Sequence, residues 1–254
     1  MLTPLTTGFV GRLRANDQGA WYELWETFGP VVRAQLTKWG RGRIGSQTVQ
    51  DLSQETLAAL SESIDRYDPT RGARFSTWLL AIAKHVLGDE LDRRQAQKRG
   101  GNRKNAELDE SWMAACDGMS VDEAYEVAIF RAKVEAAIRM VQKESDFTDF
   151  SIYAMRVLDG RPGKEVADAL GISEPTVSRR LAKVRDALRA RMAEVIATYS
   201  FTEDEREEGA RNGLLKAPKQ DRAVADDALF DEAIGEIYHR QMELRRQDQA
   251  ERLR

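Results

Sequence analysis

Gly163-Lys164-Glu165-Val166-Ala167-Asp168-Ala169-Leu170-Gly171-Ile172-Ser173-Glu174-Pro175-Thr176-Val177-Ser178-Arg179-Arg180-Leu181 reads as two short helices joined by a tight turn, the grammar of a helix-turn-helix. Val166, Ala169 and Leu170 are expected to face inward from the first helix. Gly171 supplies a left-handed turn residue, Ile172 plugs the angle, Ser173 caps the second helix and Pro175 sits in its first turn. In that second helix Val177, Leu181, Val184 and Leu188 share one face. Glu174, Thr176, Ser178, Arg179, Arg180 and Lys183 must then point outward. Hydroxyls and arginines early in such a helix suit base edges in a major groove, and later cations suit phosphates.

The rest of the chain is also helical by period. From Arg12 to Lys38, Leu13, Ala20, Trp21, Leu24, Trp25, Phe28, Val31, Val32 and Leu36 recur at three- and four-residue steps, with Pro30 expected to kink or divide the segment. A loop at Gly40 to Gly45 precedes a second helix marked by Leu52, Leu57, Leu60 and Ile64, ending near Asp68-Pro69-Thr70-Arg71-Gly72. A third begins near Ser76, with Trp78, Leu79, Ile82 and Val86 inward. The aromatic ring of Trp78 would suit base stacking, but its spacing from Ile82 favours the core. Tyr125 to Val141 and Phe150 to Leu158 repeat the pattern, and strand-like alternation persists nowhere. The expectation is an all-α chain of two small helical domains, residues 1–100 and 125–197, joined by a flexible acidic linker at 101–124 and followed by a C-terminal helical extension at 198–254.

The net charge of −3, from 39 basic and 42 acidic residues, argues against nucleic-acid binding only if it is spread evenly, and it is not. Arg71, Arg74, Lys84, Arg93, Arg94, Lys98, Arg99, Arg103 and Lys104 form one basic block, against which stand only Asp89, Glu90 and Asp92. Arg179 to Arg191 forms a second, and the acids collect in Glu107 to Glu126 and Glu203 to Glu208. Within the first block Arg74, Lys84, Arg93 and Arg94 are the candidates for holding a partly melted DNA strand.

Cys116 is the sole cysteine, so internal disulfides and Cys-rich metal sites are excluded and a cytoplasmic location fits. No leader-like or membrane-spanning apolar run is present, so no membrane insertion is expected. A DNA-acting enzyme, such as a recombinase, finds no support. His85 and His239 are far apart, and there is no phosphate loop or carboxylate-metal spacing. Neither a catalytic group, a metal nor a cofactor is expected.

The N-terminal half decides among helix-turn-helix proteins. Asp51-Leu52-Ser53-Gln54-Glu55-Thr56 resembles the Asp-Leu-Val-Gln-Glu-Thr-Phe core of extracytoplasmic-function sigma factors of the sigma-70 family. Ile64 to Lys84, through Tyr67-Asp68-Pro69-Thr70-Arg71-Gly72 and Phe75-Ser76-Thr77-Trp78-Leu79, is similar to the Phe-Asp-Pro-x-Arg-Gly-x-Phe-x-x-Trp-Leu pattern that follows it. Phe150 to Arg191 resembles sigma region four. The resemblance implies a sigma region two at 1–100, binding core polymerase and the minus-10 element, and a region four at 125–197, binding the minus-35 element. It implies core RNA polymerase and promoter DNA as partners. Asp51, Gln54 and Glu55 would pair with the coiled coil of the largest polymerase subunit.

One departure stands out. Where the family reads Asp-Ala-Glu-Asp, this chain reads Thr48-Val49-Gln50-Asp51. Phosphorylation of Thr48, or of Ser46 as second choice, would restore the missing charge and would bring in a Ser/Thr protein kinase; an anti-sigma protein is the other kind of regulator expected. The extension carries Ala228, Leu229, Ala233, Ile234, Ile237 and Met242 at amphipathic spacing, suiting an internal regulator, a partner site or a flexible tail. The alternative to a sigma factor is a stand-alone helix-turn-helix regulator, which would dimerise on a symmetric site.

Overall fold

The computed structural model describes residues 4–67, 74–98, 123–200, 205, 207 and 223–252. Its elements are helical, and no strand occurs among the described residues. Two compact units form, Met1–Ala132 with Ala197–Arg206, and Lys133–Ile196 with Glu207–Arg254.

In the first unit, helices α1 (Pro4–Arg14), α2 (Gln18–Gly40), α3 (Ser46–Ser63) and α4 (Phe75–Lys98) pack around Leu13, Leu24, Leu36, Leu52, Leu60, Leu79 and Ile82. Asp17 starts α2 by accepting hydrogen bonds from the Gly19 and Ala20 amides at 2.8 and 3.2 Å. Asn16, just before it, turns the chain at φ 56°. Of the expected kink or division at Pro30, the division is corrected, because α2 runs unbroken through it. Proline removes one backbone hydrogen bond, and the buried Phe28, Val31, Val32 and Leu36 around it hold the helix against the core regardless. Gly42, at φ 74°, makes the reversal into α3.

Trp78 is core, as its spacing indicates: it is 2% exposed and stacks on Tyr67 at 4.8 Å between ring centroids. The first turns of α5 (Glu123–Glu144) belong to this unit. There the Tyr125 hydroxyl donates to the Ser76 carbonyl at 2.8 Å, and Arg74 pairs with Glu126 at 2.7 Å. Tyr199, grouped with the extension by sequence, lies edge-on to Phe9 and Phe28. The Asp68 to Gly72 turn lies outside the described residues, as does nearly all of the acidic linker.

In the second unit α5 continues into α6 (Phe147–Tyr153), a π-helical turn (Ala154–Leu158), α7 (Gly163–Leu170), α8 (Glu174–Thr198) and α9 (Ala223–Arg252). Asp146 caps α6 through the Thr148 and Asp149 amides. Gly171 ends α7 at φ 64°, ψ 34°, and the Ile172 amide reaches back to the Ala167 carbonyl at 3.0 Å. This is the glycine-closed terminus that turns a chain sharply between helices. α8 buries Val177, Leu181, Val184 and Leu188, as expected, and Met192, Val195 and Ile196 beyond them. α7 buries Val166 and Ala167 and leaves Ala169 exposed, a correction to the inward set. In so short a helix the buried face centres between Val166 and Ala167, which rotates Ala169 past its edge.

Leu24→Ala should cost about 2–5 kcal/mol, the usual loss for a buried leucine, read from urea unfolding of the first unit by tryptophan fluorescence. A much smaller loss would mean that Leu24 is not close-packed.

Candidate nucleic-acid and protein interfaces

α8 presents its exposed N-terminal edge from a fixed base. Thr176 sits within 2.9 Å of the Ser173 hydroxyl and accepts from Arg179 Nη2 at 3.3 Å, while Arg179 Nε donates to the Pro175 carbonyl at 3.3 Å. Arg179 therefore lies along the first turn instead of waving in solvent. Glu174, Ser178 and Lys183 are exposed, and Arg180 is half-buried.

Beneath this edge lies a carboxylate that local periodicity does not reveal. Asp149, 4% exposed, accepts from Arg180 Nη1 at 2.9 Å and from Lys183 Nζ at 2.7 Å. A buried carboxylate needs such partners, since desolvation without them costs several kcal/mol. One anion beneath two cations leaves net positive charge on the edge and restricts where both side chains point. The partners are 31 and 34 residues away, beyond any helical period.

In the first unit, α3 turns Val49, Leu52, Thr56 and Leu60 inward and leaves Asp51, Gln54 and Glu55 exposed along one edge. Asp51 accepts from Gln47 Nε2 at 3.1 Å. Partial burial, followed by repulsion from Glu90, pushes the Glu55 carboxyl above the ordinary glutamate value.

The basic candidates of the first unit differ in their surroundings. Lys84 is exposed. Arg74 is tied to Glu126, and Arg93 and Arg94 both reach Glu90, their Nε atoms donating at 2.7 and 2.6 Å. Arg94 also donates to the Arg43 carbonyl at 3.2 Å and, through Nη2, to Thr48 Oγ1 at 2.8 Å. Ser46 is exposed in the first turn of α3, and Thr48 is half-buried. The structure thus joins the Glu90–Arg94 pair, four residues apart on α4, to Thr48, a contact that the sequence spacing did not announce.

Burial pushes the Glu90 carboxyl up, but hydrogen bonds from Arg94 and Arg93 outweigh it and leave the group below the ordinary glutamate value. Its stabilising contribution is complete above the unfolded-state value and is lost as pH falls through the folded-state one. Glu90→Gln should therefore flatten part of the acid unfolding profile between about pH 5 and 3, followed by circular dichroism. Unchanged acid dependence would show that these pairs do not stabilise the fold.

Asp149→Ala should destabilise the second unit by about 1–3 kcal/mol, because its two cations lose their partner but can turn toward water. The same substitution releases those cations to a duplex, so the slope of log affinity against log salt should steepen by about 1–2. Fluorescence anisotropy with a labelled duplex over a salt series reads this, and an unchanged slope would show that Arg180 and Lys183 do not meet phosphate.

Among the described residues no group of acidic, histidine or cysteine side chains is arranged to hold a metal, and no helix is long and apolar enough to cross a membrane. No curated protein matches the chain. The family model of sigma-70 region 2 matches residues 24–97, which run from within α2 to the last turn of α4, and that of sigma-70 region 4 matches residues 148–188, which contain Asp149, the helix-turn-helix and the exposed edge of α8. With both modules present in that order, the chain belongs to the sigma-70 family, as a sigma factor of the extracytoplasmic-function type that binds core RNA polymerase and promoter DNA and serves promoter recognition and transcription initiation without being an enzyme.

Proposed function

We propose that the exposed α3 edge, Asp51, Gln54 and Glu55, docks on the coiled coil of the largest polymerase subunit, and that a phosphate on Thr48 completes this edge and activates the factor. The observation that carries the proposal is the hydrogen bond from Arg94 Nη2 to Thr48 Oγ1 at 2.8 Å. Residues three and four apart on a helix share a face, so Thr48 stands one turn ahead of Asp51 on the same side, where the family pattern has a carboxylate. A phosphate there finds a guanidinium already held by Glu90 and the Arg43 carbonyl. It adds about two negative charges, more than Arg94 neutralises, so the surplus extends the acidic edge toward a basic partner. Ser46 has no comparable contact among those described and remains the second choice. The implied regulator is a Ser/Thr protein kinase, which this contact favours over an anti-sigma protein.

In region four the α8 edge enters the major groove of the minus-35 element. Thr176, Ser178 and Arg179 are placed for base edges, and Arg180 and Lys183 for phosphates, with Glu174 at the start of the helix. In region two Lys84, Arg93, Arg94 and Arg74 contribute positive charge toward the minus-10 strand. Arg74, Arg93 and Arg94 do so with part of their charge already committed to carboxylates.

Run-off transcription with purified core polymerase tests the reading. Thr48→Glu should raise output over the wild-type chain by roughly five- to tenfold, the equivalent of one charge-assisted contact, whereas Thr48→Val should not. Asp51→Arg should abolish output in either background. Equal output from wild type and Thr48→Glu would remove the switch, and full activity of Asp51→Arg would remove the docking edge.

Arg179→Ala in the holoenzyme should weaken promoter binding by about 1–3 kcal/mol and relax sequence preference at the minus-35 element. A uniform loss across promoter sequences would reassign Arg179 to phosphate contact.

A further inference from the structure

Helix α9 lies outside both matched regions, yet within the second unit it is bound to α8 and to the π-helical turn. Arg185 donates to both Asp231 oxygens, with Nε at 3.0 Å from each, and its Nη1 reaches Asp227 at 3.2 Å. Arg189 Nη2 donates to the other Asp227 oxygen at 2.6 Å, and its guanidinium lies 4.5 Å from the centre of the Phe230 ring. Phe230 and Ile234 are buried, whereas Leu229 faces solvent at 65% exposure. The two carboxylates stand one helical turn apart and flank the aromatic, and the two arginines stand one turn apart on α8. The side chains of Arg185, Arg189, Asp227 and Asp231 are a quarter exposed or less. Geometry of this quality, with each charge met by more than one donor or acceptor, marks a built site and not a chance surface pair.

We propose that this face of region four is a docking site for an acidic amphipathic helix and that α9 occupies it in cis as a built-in competitor. Recognition rests on two features together. The arginine pair selects carboxylates at i and i+4, and the apolar bed beside the π-helical turn takes the aromatic and the aliphatic that follow. A partner helix of the same pattern gains the face only when α9 leaves. Tethering strengthens the cis contact, because α9 belongs to the same chain as α8, with residues 199–222 between them, and so acts at an effective concentration on the order of millimolar. Charge carries much of the hold, so salt weakens it.

The test uses the full chain and a fluorescent peptide of residues 223–240. Wild-type protein should bind the peptide at least about tenfold more weakly than protein carrying Asp227→Arg and Asp231→Arg, whose own α9 is repelled. Protein carrying Arg185→Asp and Arg189→Asp should refuse the natural peptide and accept one with Asp227→Arg and Asp231→Arg. Equal binding by wild type and released protein, or no rescue by the reversed charges, would overturn the proposal.

Hydrogen exchange on the wild-type chain needs no variant to fold. Amides of 226–236 should lose protection as salt rises while those of α8 keep theirs, and loss of both together would make α9 an inseparable part of the unit. Size exclusion over a concentration series should show no α9-dependent dimer. A dimer lost on releasing α9 would mean that the helix is exchanged between copies, contrary to occupation in cis.

Discussion

Glu90, Asp149 and Asp231 are carboxylates largely withdrawn from water, and each meets two or more nitrogen donors there. Withdrawal from solvent costs several kcal/mol per ion unless opposite charge and hydrogen bonds replace the lost water. Arginine, with a planar fork and several donors, makes that replacement well. Glu90 gathers Arg93 and Arg94, Asp149 gathers Arg180 and Lys183, and Asp231 with Asp227 gathers Arg185 and Arg189. The cations of a DNA-binding chain must be numerous without repelling one another out of position. Placing an anion under the Arg93–Arg94 and Arg180–Lys183 pairs fixes their geometry and leaves part of each cation toward solvent, whereas Arg185 and Arg189 are covered by α9.

This arrangement explains which parts of the fold the sequence made legible. Burial of one helix face follows a 3.6-residue period, so Val177, Leu181, Val184 and Leu188 announce their side of α8 within a single segment. Gly171 announces the turn because a left-handed conformation suits glycine above other residues. Trp78 falls in the core for the same periodic reason. The corrections are local too: Pro30 loses a hydrogen bond that the surrounding core makes dispensable, and Ala169 lies just past the edge of a face only a few residues wide.

Glu90 meets Arg93 and Arg94 three and four residues on along its own helix, but the other contacts beneath the surfaces obey no such period. Asp149 is 31 residues from Arg180, Thr48 is 46 from Arg94 and Asp231 is 46 from Arg185. Each pair exists only after helices pack, so a linear reading sees Asp149 as an ordinary acid near a helix start and Arg180 as an ordinary outward cation. The sequence reading of α9 also selected Leu229 for the apolar side, where the fold exposes it and buries Phe230 instead. An amphipathic pattern states that a face exists; the arginines it meets decide which residues lie on it.

The geometry of α8 keeps the α9 cover away from only part of the proposed edge. At about 100° per residue, Arg185 projects roughly 120° or more around the helix from each of Thr176, Arg179, Arg180 and Lys183, but only about 20° from Glu174 and Ser178. A helix held by Arg185 therefore leaves the Thr176, Arg179, Arg180 and Lys183 flank clear and shares its side of α8 with Glu174 and Ser178. The Asp149 pairs with Arg180 and Lys183 involve no residue of α9, so they hold that flank in shape whether or not α9 is docked. Control through α9 would then act on which protein partners region four accepts and on access to the Ser178 side of the helix, and not on the flank that carries Arg180 and Lys183.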